Sequence, residues 1–477
     1  MALQNKNKTV SIKAARNLTT TEKTPPMMVA MSPKLLLKML PWKDVPGGTL
    51  RVNRTKLIFK GNGRVTIEFG DGGIPIVTPE ALRMIPMFYN LPMEMIEKMS
   101  QILKMEQFDK DTIMIKSGED RDKMFILADG SAEFFETGAH GNELQLKVVG
   151  PGDHFGEDEL VADIKSTSNV RTITKCVFIT MTKNDLDQVL KDNPGYKDHF
   201  ERTVQEQIEL KAMSDEYGEH RVELKSGHLE VEELPSTFVD YIEVPEEIPV
   251  NNVQTILNVH SRISDLYNNP MNQLQMQMNI TMGYMYESQE SAIINDPQYG
   301  LLAKCSPTMR IQPKYGAPTP DDLDNLLAMV WKKPTFFLAH PRAIAAFGRE
   351  CTFRGTPPPT LEIDGQTLIT WRGIPLVPSD KIKVDGHEVS RYGSGLTTIL
   401  LVRAGGEDVQ GVTGIYQTGT PGEMAPGLSV RMMGINEEAI ASYLMTLYYN
   451  VAVLTEDALA VLENVEVGYY HDYSKEK

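Results

Sequence analysis

From Thr49 to Gly70 apolar and polar residues alternate, TLRVNRTKLIFKGNGRVTIEFG, and Gly61-Asn62-Gly63 interrupts the run. A period of two predicts strands with one buried face, and the glycine-flanked asparagine predicts the turn of a β-hairpin. Alternation returns in HRVELKSGHLEVEELP, residues 220–235. Between the two, residues 82–213 open and close with helix-like sequence and are strand-rich within. Ribbon sequence on both sides of such a block predicts an insertion at the tip of a long hairpin, where an exposed loop accepts extra chain.

The flanks read as a mixed body. MVAMSPKLLLKMLPW, residues 28–42, is a short helix-like stretch. A long helical region is expected from Val253 to Ile294: Ile256, Val259, Ile263 and Leu266 are spaced three and four apart, with Asn268-Asn269-Pro270 as a break. Its second part, MNQLQMQMNITMGYMYESQESAIIN, is Met-rich, as suits an adaptable packing face. Thr319-Pro320-Asp321-Asp322 predicts a capping box opening a helix. PTFFLAH predicts a strand, PRAIAAFGREC a helix, Asp364-Gly365 a hairpin turn and LTTILLVRAG a buried strand. The C-terminal stretch NEEAIASYLMTLYYNVAVLTEDALAVLENVEV is expected to hold a helix, a strand and a short apolar tail. The fold class is α+β.

Composition narrows the partners. The 477 residues are 41% hydrophobic and 23% charged, enough to bury more than one core, and the length suggests two or three domains. A net charge of −16 argues against nucleic acid, which is bound by clustered positive charge. No basic recognition helix follows the inserted block, which argues against a transcription regulator. Cys176, Cys305 and Cys351 lie far apart, against a disulfide framework or a zinc site and in keeping with a reducing cytoplasm. No apolar run approaches the ~20 residues of a membrane span. Residues 1–27 read as an extended, solvated arm. Nucleotide-loop, zincin and kinase motifs are absent and the nine histidines are scattered, so no catalytic residue and no metal ligand is assigned. His340, just before a helix, reads as a capping or packing residue.

Within the inserted block the features fall in a fixed order. They are Phe88-x-x-Leu91, Gly118-Glu119-Asp120, Ile126-Leu127-x-x-Gly130, Gly150-x-Gly152-Asp153 and Phe155-Gly156-Glu157. In this order the block resembles the cyclic-nucleotide-binding domain family, a β-roll of jelly-roll-like form. The resemblance implies that the segment starting at Phe155 holds a cyclic phosphate, with help from an arginine, and that Glu157 accepts from a ribose hydroxyl. A helix N-terminus suits an anion, and an arginine offers two parallel donors. Gly156 and Glu157 match the pattern. In Asn169-Val170-Arg171-Thr172, alignment on Thr172 puts Asn169 where the arginine belongs. Arg171, next to Thr172 on a strand, would face the other way. The candidate ligand residues are therefore Gly156, Glu157, Arg171 and Thr172, for cyclic AMP or cyclic GMP. Asp153, Glu157, Asp158, Glu159 and Asp163 crowd this region, with Lys165 and Arg171 as the nearby cations, and like charge opposes a phosphate there. Both a nucleotide switch and a β-roll kept for structure, for partner contacts or for some other ligand remain open at this point.

The surrounding segments, roughly 28–80 and 220–477, resemble encapsulins, shell proteins of the Hong Kong 97-type phage-capsid-like fold. The features are the alternating run 49–70 as the extended loop, SQESAIINDPQYGLLAK as the spine helix and its sequel, PTFFLAHPRAIAAF as a strand and helix of the axial domain, TLITWRGIPLVPSDKI, and the closing YYNVAVLTEDALAVLENVEV. One subgroup of the second encapsulin family carries an inserted cyclic-nucleotide-binding domain in the extended loop. The resemblance implies four parts: an arm over 1–27, a first shell part over 28–81, the insert over 82–213 and a second shell part over 214–477. It implies a self-assembling icosahedral homo-oligomer in the bacterial cytoplasm, with no catalysis of its own and no required cofactor. It implies a cargo enzyme of terpene cyclase or polyprenyl transferase type, a cysteine desulfurase being the cargo of a sister subgroup. The alternatives are a phage or prophage major capsid protein and a cyclic-nucleotide-controlled enzyme.

Overall fold

A computed structural model describes residues 30–54, 65–70, 74–88, 91–119, 122–138, 141–157, 165–166, 168–192, 194–196, 219–224, 245–260, 273–384, 395–468 and 470–471, with a few single residues between 160 and 236. The predicted arm, the Gly61-Asn62-Gly63 turn, and Asp158, Glu159 and Asp163 lie outside them. The chain forms two compact units: residues 252–288 and 420–447 with the chain up to Pro33, and the remainder.

The larger unit holds the inserted β-roll. One four-stranded sheet runs His154–Phe155, Lys123–Asp129, Cys176–Thr182, Lys104–Phe108, and the other Ile113–Ile115, Asn169–Thr172, Ala132–Thr137, Glu143–Val149. Lys123–Asp129 reads KMFILAD without alternation because both of its faces are buried. Phe125 and Leu127 enter the roll interior with Phe155, Val170 and Phe178. Met124, Ile126 and Ala128 turn to a helical layer that includes Leu82, Phe88, Leu91, Met95, Ile96, Leu186 and Phe200. Val65 and Val77 join that layer, so its packing begins before residue 82.

The rest of this unit is built on a seven-stranded mixed sheet, in the order Arg310–Ile311, Leu459–Glu466, Leu396–Val402, Phe336–Ala339, Ile374–Pro378, Gln366–Trp371, Thr360–Ile363. Helices Pro320–Met329 and Pro341–Phe353 cover it through Leu323, Leu326, Ala343 and Phe347. The capping box is formed as expected: Thr319 Oγ1 accepts from the Asp322 amide and the Asp322 carboxylate accepts from the Thr319 amide. His340 caps the next helix, its Nδ1 accepting from the Arg342 amide at 3.0 Å. The Asp364-Gly365 turn is also as expected, with φ of 52° and 73°, the mirror-image turn that suits a hairpin.

The ribbon pairs differently from the expectation. Thr49–Val52 pairs with Glu246–Pro249, antiparallel, while Ile67–Phe69 pairs with Pro75–Val77. Alternation marks which face is buried and leaves the partner strand unspecified. Glu246 ties this junction together, accepting from Arg54 at 2.7 Å and from Lys304. Burial opposes the charge on Glu246, but the two cations outweigh it and hold its pKa below the ordinary value.

In the smaller unit, Glu423–Ala425 pairs with Leu428–Ile435, which pairs with residues 441–447, and Asn251–His260 flanks the latter strand. Here the predicted helix from Val253 is corrected to a strand. Leu257 and Val259 are buried while Ile256 is exposed, and Val253, Thr255, Ile256 and Val259 are β-branched, which suits a pleated edge. Among the described residues of the predicted region Gln273–Asn295 is helical, and Ile263, Leu266 and the Asn268-Asn269-Pro270 break lie outside them. Within this unit Ser32 donates to the Glu287 carboxylate, from the amide at 2.6 Å and the hydroxyl at 3.1 Å. The C-terminal helix is likewise corrected: NEEAI makes a turn in which the Asn436 side chain accepts from the Ile440 amide, and the rest forms strands Ile440–Val453 and Leu459–Glu466.

Candidate functional site

The segment that the sequence singles out follows the strand His154–Phe155, which pairs with Phe125 and Ile126. Gly156 has φ of 88°, and a Cβ there would stand 2.6 Å from the Lys123 carbonyl oxygen, so only glycine fits. Glu157 follows at the start of a helical turn, its Oε1 3.3 Å from His154 Nδ1. Beneath, Phe155 stacks on Phe125 at 5.3 Å between ring centres and meets Phe134 edge-on at 5.1 Å and Phe178 edge-on at 6.0 Å. Aromatic side chains thus fill the roll under this segment. Asp153 is turned to its own loop, accepting from the Gly150 amide at 2.8 Å.

The other two candidates sit on the strand Asn169–Thr172, whose burial alternates. Val170 and Thr172 are fully buried. The Thr172 hydroxyl donates to the Asp109 carbonyl at 2.6 Å and accepts from the Thr112 amide at 2.8 Å, which fastens the 109–112 loop. Asn169, aligned with the family arginine, is also engaged by backbone. Its side chain accepts from the Ser117 amide at 3.0 Å and donates to the Phe135 carbonyl at 3.2 Å.

Arg171 lies on the face opposite Thr172, as the strand period requires. Its Nε donates to Glu133 Oε1 at 3.0 Å, its Nη2 to the same atom at 2.5 Å and to Glu143 Oε2 at 2.9 Å. The guanidinium also lies 4.6 Å from the centre of the Phe135 ring. Bonding to Glu133 first, and then to Glu143, raises its pKa above the ordinary arginine value. The site as laid out in the sequence therefore divides. Gly156 and Glu157 stand together, while Arg171 and Thr172 make their bonds to other strands and loops. Glu133 and Glu143 were missed by sequence reasoning. A usable signal was present in SAEFFE, where a carboxylate falls between apolar strand residues and calls for a cation partner.

Two family models match separate stretches of the chain. Residues 207–469 match the family described as type 2A encapsulin shell protein, SrpI-like, and residues 105–193 match the cyclic nucleotide-binding domain. The SrpI shell protein of Synechococcus elongatus is 56% identical over 241 residues, which cover 50% of this chain and 76% of that protein. A type 2A encapsulin shell protein of Mycolicibacterium paratuberculosis is 51% identical over 252 residues, covering 53% of this chain and 79% of the relative. Among solved structures, the holo-SrpI encapsulin complex of Synechococcus elongatus superimposes with a TM-score of 0.54 at 32% identity, covering 98% of this chain and 99% of that one. The shell domain is completed from before the insert, because Trp42–Asp44 and Thr49–Val52 pair with strands Val412–Tyr416 and Glu246–Pro249 of the matched region. An α+β shell domain of the Hong Kong 97 type thus carries an inserted cyclic-nucleotide-binding β-roll, and the chain belongs to the SrpI-like type 2A encapsulin shell protein family.

Proposed function

We propose that this shell protein closes into an icosahedral compartment around a cargo enzyme, displays the β-roll on its outside, and performs no catalysis itself. The observation that carries this reading is the extent of the SrpI likeness, 76% of that shell protein's length at 56% identity. The pairing of Thr49–Val52 with Glu246–Pro249 supports it, since the chain leaves and re-enters the shell domain at one place and the insert need not break a shell strand. A cytoplasmic location is in keeping with three free buried cysteines. The cargo is expected to be a terpene cyclase or polyprenyl transferase, with a cysteine desulfurase as the second choice. Neither nucleic acid nor membrane is an expected partner. Among the described residues no helix is long and apolar enough to cross a membrane. Electron microscopy of the purified protein tests the shell, and mass spectrometry of the particle contents tests the cargo. Small oligomers alone would sink the first reading, and empty particles from the native host the second.

For the β-roll, the ligand implied by its domain class is cyclic AMP or cyclic GMP, at Gly156 and Glu157. Arg171 and Thr172 are held by Glu133, Glu143, Asp109 and Thr112, so we assign them to the scaffold of the roll. A boundary near Val65 is proposed for the insert in place of residue 82, because Val65 and Val77 pack in its helical layer. Titration calorimetry with both nucleotides decides the ligand. Micromolar binding that is lost in Glu157→Ala but kept in Arg171→Lys supports the assignment, and binding indifferent to Glu157→Ala overturns it.

A further inference from the structure

Arg171 and its two glutamates lie on the outer face of the sheet Ile113–Ile115, Asn169–Thr172, Ala132–Thr137, Glu143–Val149, and that face is covered at Glu133 while Glu143 stays exposed. Glu133 is only 4% exposed although it points away from the roll interior. Its cover comes from the shell domain of the same chain. Lys314 Nζ stands 3.4 Å from Glu133 Oε2 and donates to Gln145 Oε1 at 2.8 Å. Beside it, a Cβ added to Gly150 would meet the Gln312 side-chain amide carbon at 2.5 Å. Gly150 does not have a positive φ, so its lack of a side chain serves close approach rather than a turn. Gln312 is itself buried and fixed: its Nε2 donates to Glu463 at 3.3 Å and its Oε1 accepts from Asn464 at 2.8 Å. Both partners belong to Leu459–Glu466, the second strand of the shell sheet, next to Arg310–Ile311 at the edge.

We propose that the outer face of the β-roll is a docking surface for residues 310–316 of its own shell domain, latched by the relay Arg171–Glu133–Lys314 and seated by Gly150 on Gln312. The roll is then mounted on the shell wall as one body with it, beyond being tethered through its two chain ends. Arg171 sets its guanidinium against the covered Glu133 carboxylate, and Glu133 in turn receives Lys314. The relay runs between the two domain types, which explains a glutamate in an apolar strand that the interior of the roll does not need. Because Lys314 is partly exposed, screening by salt should loosen the latch, whereas the Gly150 seat is insensitive to salt.

The test uses the full chain, first without any substitution. Carbodiimide treatment joins a lysine amine to a carboxylate in contact with it, and the expected product is a Lys314–Glu133 link within one chain, weakened at molar salt. A Lys314 link that joins two chains on a denaturing gel, or no link to 133, overturns the proposal. Hydrogen exchange then compares wild type with Lys314→Met, Glu133→Gln, the double variant and Gly150→Ala. Each single change is expected to speed exchange in 143–150 and 310–316 by about tenfold, with the double no faster than the faster single. Unchanged exchange in all four variants would also sink it. The latch lies within one chain, so failure to form particles would count against the shell reading and leave this result standing.

Discussion

Arg403 enters the core of the shell domain as a charged group, 2% exposed. It is tolerated there because Asp457 receives it in a two-pronged bond, at 3.0 and 2.7 Å, while Thr455 at 2.7 Å and the Gln410 carbonyl at 3.2 Å take further donors. Burial opposes the charge on Asp457, but the bonds from Arg403 and Lys332 prevail and push its pKa well below the ordinary aspartate value of 3.8. A carboxylate depressed in the folded state binds fewer protons than it does unfolded just below its ordinary pKa. The pair's contribution is therefore complete above about pH 4 and is lost as acid titrates the folded group. Asp457→Asn should cost about 3–5 kcal/mol near neutral pH, because it strands a buried guanidinium, and the variant's deficit should shrink toward pH 2. Denaturant unfolding across that range checks it, and a deficit constant with pH would refute it. The cysteines make a second case. Burial pushes the thiols of Cys176 and Cys351 up to about 11 and that of Cys305 to about 12. All three are expected to resist maleimide at pH 7.5 in the native protein and to react on unfolding, as counted by mass spectrometry. At this scale the sequence was readable where the partner is a near neighbour in the chain, as for Thr319 with Asp322 or His340 with the Arg342 amide. It was silent where the partner is distant, as for Arg171 with Glu133 and Glu143.

Elements were legible in proportion to how far their pattern excluded the alternative. Phe336–Ala339, Pro341–Phe353 and the Asp364-Gly365 turn carried both a pattern and a stop or start signal, and they stand where the sequence put them. Residues 251–260 carried a three-and-four spacing without a cap, and their β-branched side chains went to a strand. The NEEAI segment has acidic residues that suit a helix start, yet Asn436 turns the chain back at once. The capping box offers a measurable test. Thr319→Ala removes the hydroxyl that accepts from the Asp322 amide and leaves a buried carboxylate with fewer donors. Burial has already raised the pKa of Asp322 against the pull of those same bonds. A loss of about 1–2 kcal/mol is expected, with faster exchange in the first turn of Pro320–Met329. A loss below about 0.3 kcal/mol would show the cap to be dispensable.

The molecule as a whole was legible through the order of its parts more than through any site. Ribbon sequence on either side of a compact block identified an insert, and the shell-like segments around it identified the host. The strand that receives Thr49–Val52 was not foreseen, because Glu246–Pro249 is a four-residue strand in a polar stretch with little pattern of its own. That pairing has a kinetic consequence. Val52 and Glu246 meet across roughly two hundred residues, and closing a flexible loop of that length costs more entropy than closing a short one. Once the roll has collapsed, most of that length is rigid and only its two connecting ends remain to be ordered. The guest is thus expected to mature before the host can zip its own ribbon, so that pulse-labelled hydrogen exchange should protect Lys123–Asp129 and Cys176–Thr182 ahead of Thr49–Val52. The reverse order would mean that the host finds its register with the guest still unfolded. If the expected order holds, each newly made subunit becomes competent for assembly only after its passenger domain is in shape, which builds a quality check into the timing of the fold.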